Sequence, residues 1–505
     1  MAEISVTIQP GCTNLAARTL QLNNWRECNL VRWDNGSTLR PVGGWEKYTI
    51  TAFSDRVRKI HKWSDNFNNM YVAFLCESHV YVEINGVISE ITPTGGMVTP
   101  TGNNGGYGDF TYNYSTYGTA RPGENRLRLY TPVYSLDNWG QDLLIMTSHD
   151  GRLLKWSPTA PATRAAAVTN APTSNRSFVV TPEHHVMLFG MGGEFDKFGW
   201  CDQEDITDWV FTDVNGRAGF FNIEPKSPIV ATCKFEGGTV IWTPAQAFLI
   251  EHIGLPYVYK YTPIGHVPIP LTGDCALAVP DGVLWFSIDG FWLFDGVRPR
   301  PMPCPVWDYI TRRMDVNASR FCAAGVNIGP KGEAWFFFAS LTDAPNGQNS
   351  RYVMYDYRAN LWAMGLMKRT CGFSYANDRY PIMSDGSLIW KHEIGFKYPS
   401  ASELPWIETG NLAPDNGIHL TTIKRIRPDV MGNREVLRFN VAKMNDRSVY
   451  SGEYYTTPRS INSTGWVDIR ETARDMRLRI SVVTEGYDWS TVGPLLFDGA
   501  QRGKK

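Results

Sequence analysis

Several residues of this 505-residue chain are of types that do chemistry. His184 and His185 are adjacent, and imidazoles are frequent metal ligands. They lead into the apolar run VMLFG. Neighbours in a strand point to opposite faces, so this pair does not chelate one ion. His392-Glu393 opens like the zinc-protease pattern HExxH, but Ile394, Gly395 and Phe396 follow and the second histidine is missing. Asp202, Glu204, Asp205 and Asp208 lack the glycine and the spacing of a calcium loop, which leaves a solvated acidic loop. No GxxxxGK[ST] phosphate loop occurs. The nine cysteines are odd in number and contain no CxxC. Zinc sites and redox dithiols ordinarily show close pairs, so free buried thiols in a reducing cytoplasm are expected. The expectation is therefore no catalytic residue, no metal and no cofactor.

The elements that would carry any site are strands. Segments 142–156 (DLLIMTSHDGRLLKW), 282–294 (GVLWFSIDGFWLF), 333–357 and 381–390 share one design. Each has apolar or aromatic runs flanking a loop with Asp-Gly or Asn-Gly, dipeptides that accept the positive φ of tight hairpin turns. The runs are too short for most helices and rich in Val, Ile, Phe, Tyr and Trp. Asp289-Gly290 is expected to turn between strands at 283–287 and 291–294. One short helix is expected near 305–313. Many short antiparallel strands mean a sandwich, barrel or propeller.

A propeller raises the question of a glycosidase. Sialidase-type propellers repeat an Asp box, roughly Ser-x-Asp-x-Gly-x-Thr-Trp. Here SHDGRLLKW at 148–156 has Gly151 directly after Asp150 and Lys155 before Trp156, so the box is not matched, and it does not recur. Carboxylate pairs for glycoside hydrolysis meet only in space, and nothing in the sequence marks one out.

Lys and Arg number 49 against 50 Asp and Glu. That balance argues against a dedicated duplex-DNA binder and leaves open a channel that DNA passes through. The start, MAEISVTIQP, lacks the basic and apolar regions of a signal peptide. No run approaches 18 uninterrupted apolar residues, so no membrane span is expected.

Residues 1–50 read as an extended N-terminal segment, with turn signals between Trp25, Trp33 and Trp45. A β-propeller is expected over 51–400. Gly-bearing turns at Asn85-Gly86, Asp150-Gly151, Asn215-Gly216, Asp281-Gly282 and Asn346-Gly347 fall near every 65 residues. Regular spacing is what a repeated β-unit gives, but the flanking sequences agree only loosely. Divergent blades account best for the hairpins. The stretch 93–123 breaks the strand pattern and reads as a loop insertion. Its Tyr107, Tyr112, Tyr114 and Tyr117 suit contact with a partner, packing on their own scaffold, or stacking on bases. A Pro/Gly/Ser-rich connector near 400 leads to a C-terminal β-sandwich-like domain, 401–505. There Met476, Leu478, Ile480 and Val482 alternate with Arg477 and Arg479. A period of two puts both arginines on one face, either solvated or set against an acidic neighbour.

Three segments, taken in order, resemble a known family. The first is FGWCDQEDITDWV with GRAGFFNIEPKSPIVATCKFEGGTVIWTPAQAFLIEHIGLPYVYKYTPIG. The second is CALAVPDGVLWFSIDGFWLFDGVRPRPMPCPVWDYI with RYVMYDYRANLWAM, and the last is RDMRLRISVVTEGYDWSTVGPLLFDG. The succession is similar to the tail nozzle, or packaged-DNA stabilisation, proteins of short-tailed bacteriophages. The resemblance covers about 195–370 and the last forty residues. It implies an all-β chain, a β-propeller joined to a smaller β-domain, and no enzymatic activity. It implies a homo-oligomeric ring, usually of six copies, below the portal and its adaptor ring, beside tail fibre or spike proteins. Such a ring retains packaged DNA and conducts it at ejection, in a virion assembled in the host cytoplasm. Arg477 and Arg479 are then the expected intersubunit contacts, and the four tyrosines the lumen or docking contacts. Two rivals stand beside it: a tail-associated adhesin and a glycan-degrading enzyme.

Overall fold

The computed structural model describes residues 2–14, 23–49, 52–98, 131–211, 217–343, 348–375, 378–412, 420–444, 455–491 and 495–502. Strands dominate it. The α-helices among the described residues are Trp307–Arg313, where the sequence places one, and Val316–Cys322. No helix among them is long and apolar enough to cross a membrane. Two compact units are present.

One unit comprises 52–301 with 370–373. It holds five four-stranded antiparallel sheets, each a meander in chain order. Their first strands are Val57–Ser64, Tyr134–Trp139, Ser177–Val180, Ala231–Phe235 and Ala276–Val279. The first strand of each sheet lies beside the first strand of the next. That is the arrangement of propeller blades, which fan outward from their inner strands.

The cores explain why the strands are apolar throughout. In the second sheet, Leu143 and Ile145 pack with Trp63, Tyr71 and Val82 of the first. The intervening Leu144 and Met146 pack with Phe178, Val186 and Leu188 of the third. Successive side chains of a strand face opposite ways, so each sheet feeds two cores. Fourth and fifth sheets repeat the scheme around Trp242 and Trp285, whose rings meet edge to face 5.4 Å apart. Such a fully buried side chain contributes about 1.5–3 kcal/mol.

Turn chemistry acts as the sequence suggests at Asn85-Gly86. Both residues have positive φ, 50° and 84°, and Ile84 pairs with Val87 across them. The later hairpin is shifted by one residue from its expected place. Ser287 pairs with Gly290, so the turn is Ile288-Asp289 and Gly290, at φ 137°, opens the next strand. Nor is the 65-residue spacing the blade repeat. Asn85-Gly86 joins third and fourth strands, Asp150-Gly151 second and third, Asp281-Gly282 first and second. Asn215-Gly216 and Asn346-Gly347 lie outside the described residues.

The other unit comprises 1–51, 302–369 and 374–505. It contains a further blade-like meander, Ala324–Ile328, Glu333–Ala339, Asn349–Asp356 and Leu361–Leu366. Trp45–Lys47 pairs with Ile389–His392, which pairs with Ile382–Ser384. Two further sheets form the C-terminal β-sandwich-like part. One has five strands in the order Gln9–Cys12, Asn24–Asn29, Trp406–Thr409, Asp475–Val482, Leu437–Met444. The other runs Ala2–Val6, Leu495–Arg502, Leu420–Arg427, Val467–Ala473. The sequence reading gives 1–50 a span of its own. In the structure its strands complete sheets begun by residues hundreds of positions away, so it groups with the C-terminal strands.

Candidate functional site

In the five-sheet unit, the first strands gather polar side chains where they approach one another. Lys234 Nζ lies 2.7 Å from Asp137 Oδ2 and donates to Val180 O at 3.0 Å. Lys59 Nζ pairs with an oxygen of Asp274. His61 Nε2 is 3.1 Å from Asn138 Oδ1, and burial holds its imidazole below the ordinary histidine value. Each ammonium thus already faces a carboxylate. The cluster offers little uncompensated charge for a phosphate to bind. Lys59, His61 and Asp137 lie in strands that carry other polar residues too, VRKIHKWS and YSLDNW, so nothing in the sequence sets them apart.

Ser54, Asp55, Ser78 and His79 form the constellation nearest to nucleophilic chemistry. Ser78 Oγ lies 3.0 Å from His79 Nδ1 and donates to Asp55 Oδ2 at 2.7 Å. Ser54 Oγ is 3.3 Å from the same Nδ1, and Asp55 Oδ1 is 3.4 Å from it. A triad needs the carboxylate on one ring nitrogen and the hydroxyl on the other. Here all three crowd one nitrogen, so no proton relay through the ring exists. A cleft of about 460 Å³ opens beside His79, lined also by Glu90, Thr92 and Arg164. Arg164 spends its Nη1 on Thr92 O at 2.9 Å and on Glu90 at 3.4 Å.

The histidine pair separates, but through a turn before the strand Val186–Phe189 rather than by alternation within a strand. His184 sits exposed at a positive-φ turn, 3.6 Å from Glu204. His185 is buried and donates from Nδ1 to Cys201 O at 2.9 Å, since a carbonyl only accepts. Burial holds its imidazole below the usual range. The acidic run closes local turns: Asp205 Oδ1 accepts Thr207 N at 2.8 Å, and Asp208 Oδ1 accepts Val210 N at 2.9 Å. Among the described residues no group of three or more His, Cys, Asp and Glu could hold a metal.

Tyr107, Tyr112, Tyr114 and Tyr117 lie outside the described residues. Arg477 takes the second of its two expected settings, an acidic neighbour rather than a solvated face. It is 1% exposed, donates from Nε to Asn411 Oδ1 at 3.0 Å, and lies 3.9 Å from Glu408. Its acidic neighbour is within the chain, and no surface is left for an intersubunit contact. Arg479 is half-buried, its guanidinium 3.9 Å over the Trp406 ring. The sequence missed one exposed feature. The hairpin Ala247–Gly254 and Val258–Gly265 runs beyond its neighbour Gly238–Trp242 and ends in Ile253, Leu255 and Tyr257, 47%, 66% and 72% exposed.

This geometry defines a β-propeller-type protein with an added C-terminal β-domain. No family model matches the chain, and no curated protein matches it. Among solved structures it is similar to an inactive virginiamycin B lyase from Staphylococcus aureus, with 9% identity and a TM-score of 0.39 over 69% of this chain and 98% of that one. The Pan2 WD40 domain of Neurospora crassa gives 8% identity and 0.37 over 70% and 95%. PorZ, a surface component of the type-IX secretion system of Porphyromonas gingivalis, gives 10% and 0.37 over 73%, and the chain spans only 43% of that protein. At such identity and overlap no activity, substrate or partner is carried over from any of them.

Proposed function

We propose that this chain is a structural subunit of a short-tailed phage virion, a tail nozzle that retains the packaged genome and conducts it at ejection. One observation carries the reading. The segments that resemble the nozzle family run along successive β-elements: 198–210 and 216–265 take in the end of the third sheet and the whole fourth, 275–310 the fifth and the start of the helix, and 351–364 the last two strands of the next meander. Residues 231–265 are one sheet, 276–302 the next, 307–313 the helix, and 324–366 another meander. The last forty residues supply Asp475–Val482 and Leu495–Arg502 to the two C-terminal sheets. Near-neutral charge supports it too. Each free Lys or Arg on a phosphate adds affinity through counterion release, and a conduit that gripped DNA would hold it back.

The subunit folds as its own β-unit, and rings form through side-chain surfaces and loops. Head-to-tail contacts close into a ring when the rotation per subunit permits. Weak self-association is expected in isolation, and a ring of about six copies against the portal-adaptor ring in the particle. Cryo-electron microscopy of the assembled virion tests this. A ring around the DNA path supports the nozzle. A peripheral, spike-like copy with no share in the channel refutes it and promotes the adhesin or glycan-degrading alternative.

A further inference from the structure

Cys12 and Cys28 lie with their sulfurs 3.3 Å apart, and both are buried, 1% and 2% exposed. They belong to parallel neighbours, Gln9–Cys12 and Asn24–Asn29. A disulfide needs about 2.05 Å between sulfurs, so the two must approach by about 1.2 Å to bond. Cys28 Sγ also receives Met364 N–H at 3.4 Å and donates to Met364 O at 3.1 Å.

Access comes from the topology. Gln9–Cys12 is the edge strand of the five-stranded sheet, bonded on one side only. Edge strands open at lower free energy than the sheet interior. Lifting this one frees Cys12 and removes one neighbour from Cys28. While it is docked, burial and the neighbouring Cys28 push the Cys12 thiol well above its ordinary pKa and keep it unreactive.

We propose that Cys12 and Cys28 are a modification site, a dithiol that a low-molecular-weight disulfide oxidises to an intrachain disulfide. Cys28, deprotonated to solvent, attacks one sulfur of the oxidant and expels the other as a thiolate. A mixed disulfide results. Cys12, likewise deprotonated, attacks Cys28 Sγ and expels the second thiolate. The two expelled thiolates take up the two protons, so one disulfide is reduced as one forms. The new bond fastens the edge strand to its neighbour.

The test uses the full chain under native conditions with oxidised glutathione as the probe. After an acid quench, the protein is denatured, alkylated, digested and analysed by mass spectrometry. The nine alkylatable cysteines should fall by two, with a peptide joining Cys12 to Cys28, and dithiothreitol should restore them. Cys12→Ser should abolish the joined peptide. Nine alkylated cysteines after prolonged exposure would overturn the proposal. So would stable glutathione adducts on Cys12 or Cys28, or a loss of thiols elsewhere with these two still alkylated.

Discussion

Arg32 Nη2 lies 2.6 Å from Glu393 Oε1, and Arg32 Nε lies 3.3 Å from Glu333 Oε1, with the guanidinium 3% exposed. One buried cation therefore joins strand Val31–Asp34, the head of Glu333–Ala339 and the residue after Ile389–His392. Removing one partner of a buried pair strands the other without solvent or counter-charge.

Arg32→Met should accordingly cost roughly 3–5 kcal/mol, because two buried carboxylates lose their cation. Denaturant unfolding of the variant checks this; a midpoint equal to that of the parent would contradict it. Lys331, 3.5 Å from Glu393, is exposed and compensates only in part.

The two carboxylates should respond oppositely to pH. Burial raises the Glu333 carboxyl above its usual value despite Arg32. Burial also opposes Glu393, but Arg32 and Lys331 outweigh it and hold that carboxyl below its usual value. Glu393 therefore contributes stability that is present above the ordinary glutamate pKa of about 4.3 and lost as pH falls through its lowered value. Glu333 contributes the reverse, present below about 4.3 and lost as pH rises through its raised value. Glu393→Gln should flatten the acid loss of melting temperature and cost more at pH 7 than Glu333→Gln. Thermal melts from neutral pH to about pH 3, spanning the glutamate range, read both.

Two glycines of the fifth sheet should differ in cost. Gly290, at φ 137°, has no atom within 4 Å of where a Cβ would sit. Gly290→Val meets only backbone strain, on the order of 1–2 kcal/mol. Gly282, at φ 125°, would place its Cβ 2.0 Å from Phe294 O. Gly282→Ala adds a collision with backbone to the same strain and should destabilise more than Gly290→Ala. Equal melting of the two alanine variants would count against this placement.

Two buried arginines should also part company. Arg477 satisfies Asn411 and neighbours Glu408, so Arg477→Met leaves buried polar groups unpaired and should cost about 2–4 kcal/mol. Arg369 is buried, donates Nε to His392 at 3.0 Å, and has no acceptor for Nη2. Burial lowers its pKa to about 10, so its charge is a burden to the fold at neutral pH. Arg369→Met should cost less, because the loss of its hydrogen bonds to His392 and Lys368 O and of the contact over the Trp45 ring 5.0 Å away is offset by removal of a poorly compensated buried charge. Parallel unfolding curves decide the order.

Local chemistry made much of this chain legible without coordinates. Short apolar runs between Gly-bearing turns define strands, Asn85-Gly86 supplies two positive-φ residues, and the segment around Trp307 is helical. The alternation of Met476, Leu478 and Ile480 with Arg477 and Arg479 gives the strand and its two faces. It cannot say what covers the second face, and there Asn411, Glu408 and Trp406 bury or half-bury the arginines. Period two reports which residues share a side, whereas burial depends on segments distant in sequence. The same holds for Leu143 and Leu144, adjacent residues sent to different cores. It holds again for Ala2, which pairs with Gly499, and for the meeting of Cys12 with Cys28. Turns and strands follow from a few neighbouring dihedrals, which the sequence specifies by itself. Pairing across hundreds of residues is settled only when the whole set of strands competes for partners, and that competition is decided in the tertiary structure.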